Sequence, residues 1–231
     1  MWVNPSHRFS KIGRSDFSYR QVPRTLLEKP FDIHSLESEA LKKVYHEANS
    51  LIPEIRTESV SGRRGNNMRE ESPAWTIGLP LGIPTIQFAD SLSRKNRIEA
   101  LAHELTHLLL VYQHGLGVIG RKIPLYGNSD DVFRYFMSMG GNWEYLLGQI
   151  GNTVHHLILI DYLKGKYGID SPLHLRLLDR NFSILSKDSS QDKESLYAAG
   201  IIAFEYEKLI GNVDRVIDLA HQTECFRKSY Q

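Results

Sequence analysis

Two histidines and a glutamate stand together in the segment Ala102-His103-Glu104-Leu105-Thr106-His107-Leu108, which contains the H-E-x-x-H pattern. On a helix, residues four apart lie about one turn from each other, so His103 and His107 project from the same face and can bind one cation. Glu104 lies about 100° round the helix from His103, within reach of a water molecule on that cation. A metal ion would lower the pKa of that water, and Glu104 would accept its proton during attack on a carbonyl.

A helix and a small sheet are predicted to position these residues. Ser91 or Ser93 can cap a helix whose apolar residues recur at helical spacing and which ends near Gly115. Three strands are predicted before it, over residues 54–60, 74–79 and 85–88. Glycine and proline between the strands favour hairpin connections. We therefore predict an α+β protein, with a small, mainly antiparallel sheet packed on the H-E-x-x-H helix and a helical C-terminal half.

The strand-like segment Ile83-Pro84-Thr85-Ile86-Gln87-Phe88, followed by the helix with His103 to His107, resembles the core of the zincin metallopeptidases. In that superfamily a small sheet lies against the H-E-x-x-H helix, and its edge strand pairs with an extended substrate. The resemblance covers about residues 36–166, and the five-residue motif is its specific part. It implies that His103 and His107 are zinc ligands and that Glu104 is the general base.

A catalytic zinc ion usually has three protein ligands and one open position. The third histidine of the metzincin branch is absent, and His114 lies about one turn too far along the helix to replace it. A second long helix, predicted from Asn142 to about Lys166, carries two adjacent histidines in an apolar stretch. Of these we predict His156 as the third ligand, because it shares a narrow polar stripe with Gln149 and Asn152.

Other third ligands stay open. His155 lies on a different face of the second helix, which it shares with Glu144. The gluzincin branch uses a glutamate on a downstream helix, which favours Glu144, although the ligand motif of that branch is not intact here. Asp161, Glu205 or another residue are the remaining alternatives. The remaining histidines form no constellation with other candidate ligands: His7, His34, His46, His114, His174 and His221.

The composition of the chain excludes several classes of function. The chain has 231 residues, with 28 lysines and arginines against 27 acidic residues, and its one cysteine, Cys225, excludes a disulfide framework and a cysteine-rich zinc finger. A net charge near zero argues against broad binding to nucleic acid or to a membrane surface. No apolar run has the length of a membrane span, so a cytoplasmic protein is expected. The predicted partner is a peptide or protein substrate in an extended conformation.

The predicted organisation is an irregular N-terminal arm, residues 1–30, and a single zincin-like metallopeptidase domain, residues 31–231. Within that domain the sheet and active-site helix occupy about residues 36–115, and a helical subdomain occupies about residues 130–231. A first helix is expected to begin at an N-cap on Ser35 and to stop by Pro53. The predicted function is a zinc-dependent peptidase. The alternatives are a catalytically inactive, metal-binding regulatory or interaction module, and a helical interaction protein without metal.

Overall fold

The computed structural model describes residues 28–61, 73–77, 82–114, 143–185 and 193–222. The chain divides into two compact units. The first unit comprises Met1–Leu109 and Gly165–Ile169, and the second comprises Leu110–Lys164 and Asp170–Gln231. Most of the predicted N-terminal arm lies outside the described residues. Its last residues, Glu28–Pro30, form a short strand rather than an irregular segment.

After the short strand Glu28–Pro30, which was not predicted, the strands and helices follow the predicted order. The first part of the chain contains β1 (Glu28–Pro30), α1 (Glu39–Leu51), β2 (Arg56–Val60), β3 (Ala74–Ile77), β4 (Thr85–Ala89) and α2 (Arg94–His114). The second part contains α3 (Trp143–Tyr162), α4 (Pro172–Leu185), α5 (Lys193–Ile210) and α6 (Val213–Gln222). The α+β class and the helical C-terminal half are therefore confirmed. Over the described ranges, none of the helices combines the length and the apolar character needed to cross a membrane.

The four strands form a mixed sheet in the order β1-β2-β4-β3. The outer strands β1 and β3 pair antiparallel with their neighbours, whereas β2 and β4 pair parallel. In the sequence β3 lies between β2 and β4, but in the sheet it pairs on the far side of β4. The chain from β2 to β4 is therefore a crossover and not a hairpin, and the two strands run parallel. The expected run of hairpins is thus wrong for the centre of the sheet. All five residues of β4 are buried, as expected for a central strand.

The first helix begins three residues later than predicted. Ser38, not Ser35, is the N-cap of α1, and its hydroxyl accepts a hydrogen bond from the backbone N–H of Leu41. Ser35 lies in a preceding 3-10 turn, Ile33–Leu36, which ends because Glu37 adopts the left-handed conformation with φ of 49°. A residue in that conformation interrupts the helical path, so the chain needs a new N-cap after it.

The helix α2 begins at the predicted position and reaches the sheet through its side chains. Ser93 caps it by accepting a hydrogen bond from the N–H of Asn96. The guanidinium group of Arg97 lies 5.3 Å from the ring centroid of Phe88 in β4. From residue 99 to residue 110 every side chain of the helix is buried. The H-E-x-x-H motif therefore lies in a stretch of α2 that is buried on all sides.

The second unit has its own core. Helix α5 packs against α3, α4 and α6. Buried side chains of α4, α5 and α6 form one cluster: Leu178, Phe182, Ile202, Ala203, Tyr206 and Val216. The rings of Phe182 and Tyr206 stack with their centroids 4.2 Å apart. Gly211, with φ of 76°, ends α5 in a conformation that other residues adopt only at a cost, so this helix boundary was predictable from the sequence.

Candidate metal centre

The two histidines of the motif lie side by side on α2. The Nε2 atoms of His103 and His107 are 3.0 Å apart, and the ring centroids are separated by 4.7 Å. Two imidazole ligands at about 2.0–2.1 Å from one tetrahedral zinc ion place their nitrogens about 3.3 Å apart. Both side chains are buried. The structure thus brings the two predicted ligands together at a separation that suits a shared cation.

Glu104 is the second unusual group on this helix, because its side chain is only 1% exposed. Its Oε2 atom accepts a hydrogen bond of 2.8 Å from the hydroxyl of Thr76 in β3. Its Oε1 atom is buried and has no hydrogen-bond partner among the residues that the structure describes. Burial raises the pKa of Glu104, and the hydrogen bond from Thr76 opposes that change.

A buried carboxylate with one unpaired oxygen is costly in an ordinary core, because the charge and the lone pairs have lost their water. The cost is offset if a cation, or a water molecule bound to it, occupies the space beside that oxygen. Imidazole nitrogens are ligands that zinc uses, and two of them lie together on this helix. The residues of α2 therefore fit a metal ion.

The predicted third ligand, His156, lies on α3 in the second unit and is 1% exposed. Burial lowers its pKa to about 4, so the ring is neutral near pH 7, which is the form that binds a metal. Its Nδ1 atom lies 2.7 Å from Oε1 of Glu205 on α5. The pairing of His156 with the histidines of α2 stays a prediction, because these described contacts lie within the second unit.

Glu205 is the centre of a buried polar cluster in the second unit. Its Oε2 atom accepts a hydrogen bond of 2.7 Å from the hydroxyl of Thr153, and its Oε1 atom lies 3.3 Å from Nε2 of His174. Burial alone would raise the pKa of Glu205, but the contacts with His156 and His174 hold it below its ordinary value. The ligand atoms of His156, His174 and Glu205 lie close enough together that the group could hold a metal ion.

The expectation that His174 forms no constellation is therefore wrong. The contact was missed because His174, His156 and Glu205 lie on three different helices, and sequence spacing relates only residues of the same helix. One signal was available: Glu205 is a single carboxylate in the apolar segment Ile201-Ile202-Ala203-Phe204-Glu205-Tyr206. Such a charge in an apolar helix needs a buried partner.

The other third-ligand candidates have different surroundings. His155 is buried, as is Gln149 on the predicted polar stripe, and Asn152 is half-buried. Asp161 is exposed, which does not favour it as a ligand in a closed site. Glu144 lies in α3, but its side chain is outside the described part of the chain.

Comparison with known proteins found no matching family model, no similar characterised protein and no similar solved structure. The chemistry of the site therefore has to be derived from its own residues. Those residues are buried histidine and glutamate groups that could hold a metal ion.

Proposed function

We propose that this protein is a zinc-dependent peptidase, in which Glu104 is the general base. The observation that carries the proposal is the state of Glu104. It is fully enclosed, one oxygen is held by Thr76, and the other has no hydrogen-bond partner among the described residues. A carboxylate kept in this way next to two histidine ligands suits proton transfer better than packing.

His103 and His107 would hold the zinc ion through their Nε2 atoms, and His156 is proposed as the third protein ligand. The neutral state of His156 supports this role, because a protonated imidazole has no lone pair for a metal. When bound, zinc supplies a water of lowered pKa and polarises the substrate carbonyl.

Glu104 then moves the proton. Its unpaired Oε1 atom accepts a proton from the attacking water, and the resulting acid can return that proton to the leaving amine. The hydroxyl of Thr76 donates a hydrogen bond to Oε2, so the carboxylate is held at one oxygen while the other reacts. The burial of Glu104 excludes competing water, which strengthens both interactions.

The position of β3 supports an extended peptide as the substrate. Among the described strands β3 lies at one end of the sheet, with β4 on its other side. A peptide that paired with the outer side of β3 would form backbone hydrogen bonds with it without any change in the fold of the protein. Because Thr76 of β3 contacts Glu104, a strand added there would run beside the proposed base.

Zinc content and hydrolysis of a mixed peptide library, measured on the same protein samples, test this proposal. The wild-type chain is expected to bind zinc and to cleave library peptides detected by mass spectrometry. His103→Ala and His107→Ala should lose the zinc. Glu104→Gln should keep the zinc and lose about 100-fold or more of the hydrolysis rate, as expected for removal of a general base.

Matched controls separate these effects from surface changes. His46 and Glu39 are exposed on α1, so His46→Ala and Glu39→Gln should leave zinc content and hydrolysis as in the wild type. A Glu104→Gln protein with full activity would contradict the assignment of the base. A wild-type protein that binds zinc but cleaves no library peptide would overturn the peptidase proposal in favour of a metal-binding module.

A further inference from the structure

Two helices of the second unit direct polar side chains at one carboxylate on a third helix. Glu205 of α5 accepts hydrogen bonds at both oxygens, from His156 of α3 at 2.7 Å and from Thr153 of the same helix at 2.7 Å. His174 of α4 approaches the same oxygen as His156, at 3.3 Å. All four side chains are buried. A carboxylate enclosed in this way has its position and its orientation fixed by its partners.

The contact with Glu205 determines which nitrogen of His156 carries the proton. A carboxylate accepts hydrogen bonds and cannot donate one, so the Nδ1 atom of His156 must be the protonated nitrogen. In a neutral ring the lone pair is then on Nε2. An imidazole whose Nδ1–H is held by a carboxylate is both oriented and more basic at Nε2, which is the usual support for a histidine that binds a metal.

The same cluster could instead hold a metal ion itself, but its two shortest distances, from Glu205 to His156 and to Thr153, favour hydrogen bonds. Two ligand atoms on one zinc ion lie about 3.3 Å apart. The Nδ1 atom of His156 and Oε1 of Glu205 are 2.7 Å apart, which is the length of a charge-assisted hydrogen bond. The other oxygen of Glu205 is already bound to Thr153 at the same short distance.

We infer that Glu205 is a positioning residue for zinc: it holds His156 in the tautomer and orientation that present Nε2 to the metal, and Thr153 and His174 hold Glu205 in place. The inference rests on the proposed function, because it takes His156 as a zinc ligand. It adds a carboxylate on α5 to the residues that determine zinc affinity, although Glu205 touches neither substrate nor metal.

The test measures the zinc affinity of the full-length protein by competition with a chromogenic chelator, using Zn²⁺ alone as the probe. Glu205→Gln keeps the shape of the side chain and removes its charge, so we expect zinc affinity to fall about 10- to 100-fold. Glu205→Asp keeps the charge, so its zinc affinity should fall less than that of Glu205→Gln. Glu207→Gln makes the same chemical change two residues further along α5, where the side chain is only half-buried, and should bind zinc as the wild type does.

A second variant keeps the inference testable if Glu205→Gln does not fold, which circular dichroism would show. Thr153→Val removes one hydrogen bond to Glu205 and should weaken zinc binding about threefold or more. The absorption spectrum of the cobalt-substituted protein adds a readout of ligand geometry, and the Glu205→Gln spectrum should differ from that of the wild type.

The outcomes distinguish this inference from the proposed function. If His103→Ala loses its zinc but folded Glu205→Gln binds zinc as the wild type does, the inference is overturned and the proposed zinc site stands. If His103→Ala keeps all its zinc, the proposed site itself fails. If His174→Phe loses one equivalent of zinc that His103→Ala retains, the cluster binds a metal of its own and the positioning role is overturned.

Discussion

The hydrogen bond between Thr76 and Glu104 joins the sheet to the proposed base and gives a sharp prediction. Thr76→Val replaces the hydroxyl by a methyl group of similar size and leaves Oε2 of Glu104 without its donor. Thr76 is 5% exposed and Glu104 is 1% exposed, so water does not readily replace the lost donor. A buried hydrogen bond of this kind contributes about 1–3 kcal/mol, and we expect the free energy of unfolding to fall by that amount.

The same loss of free energy can be expressed as a decrease in the rate of hydrolysis. If the hydrogen bond holds Glu104 in its reactive position, about 1–3 kcal/mol corresponds to a decrease in kcat of about 5- to 150-fold. KM should change little, because Thr76 holds the base and its side chain does not bind the substrate in this scheme. Zinc content should be unchanged, since neither histidine is altered. Thr76→Ser keeps the donor and should recover most of the stability and the rate.

Two assays check this prediction. Urea unfolding of the zinc-free protein gives the stability change, and steady-state hydrolysis of a cleaved library peptide gives kcat and KM. Thr106→Val is the matched control: Thr106 is fully buried on the helix that carries Glu104, but among the described residues its hydroxyl bonds only to the carbonyl of Ala102 one turn earlier. If Thr76→Val matched the wild type in both stability and kcat, Thr76 would not be the residue that holds Glu104.

Four further predictions concern the second unit and zinc binding. Gly211→Ala should lower the free energy of unfolding in urea by about 1 kcal/mol, because φ is 76° there. Gly148→Ala should raise it by about 0.5–1 kcal/mol, because, apart from the chain neighbours and the backbone of helix α3 itself, no described atom lies within 4 Å of the added Cβ. Phe182→Ala should cost about 3–5 kcal/mol in the same measurement, since Phe182 is buried and stacked on Tyr206. Added zinc should raise the melting temperature of the metal-free wild type but not of His103→Ala, because a ligand stabilises only a state that binds it.

Local patterns predicted most of the elements of this fold. The helix α2 follows from side-chain chemistry within a few neighbouring residues, and of the two predicted caps, Ser91 and Ser93, the structure has Ser93. The glycine that ends α5 is a local signal of the same kind. The start of α1 was predicted wrongly because Ser35 and Ser38 are both possible caps. The left-handed conformation of Glu37 selects Ser38 as the cap. That conformation was not predictable, because residue 37 is not a glycine, the residue type that usually adopts it.

Contacts between distant segments could not be predicted in the same way. The parallel pairing of β2 with β4 depends on β3 taking the far side of β4, which strand patterns do not reveal. In the candidate site, the spacing of His103 and His107 predicted their proximity because one helix carries both. Glu205 and His156 are 49 residues apart, and their contact depends on how α3 and α5 pack.

The order of the strands also has a consequence for how the chain is made. A chain leaves the ribosome from its N-terminus, so β2 and β3 both emerge before β4, the strand that separates them in the sheet. Residues 61–84 separate β2 from β4, and their synthesis takes about 1–5 s at the usual rate. During that time one side of β2 presents unpaired backbone groups to other chains. The yield of folded protein is therefore expected to depend on how quickly β4 inserts, and on chaperones that shield β2 until it does.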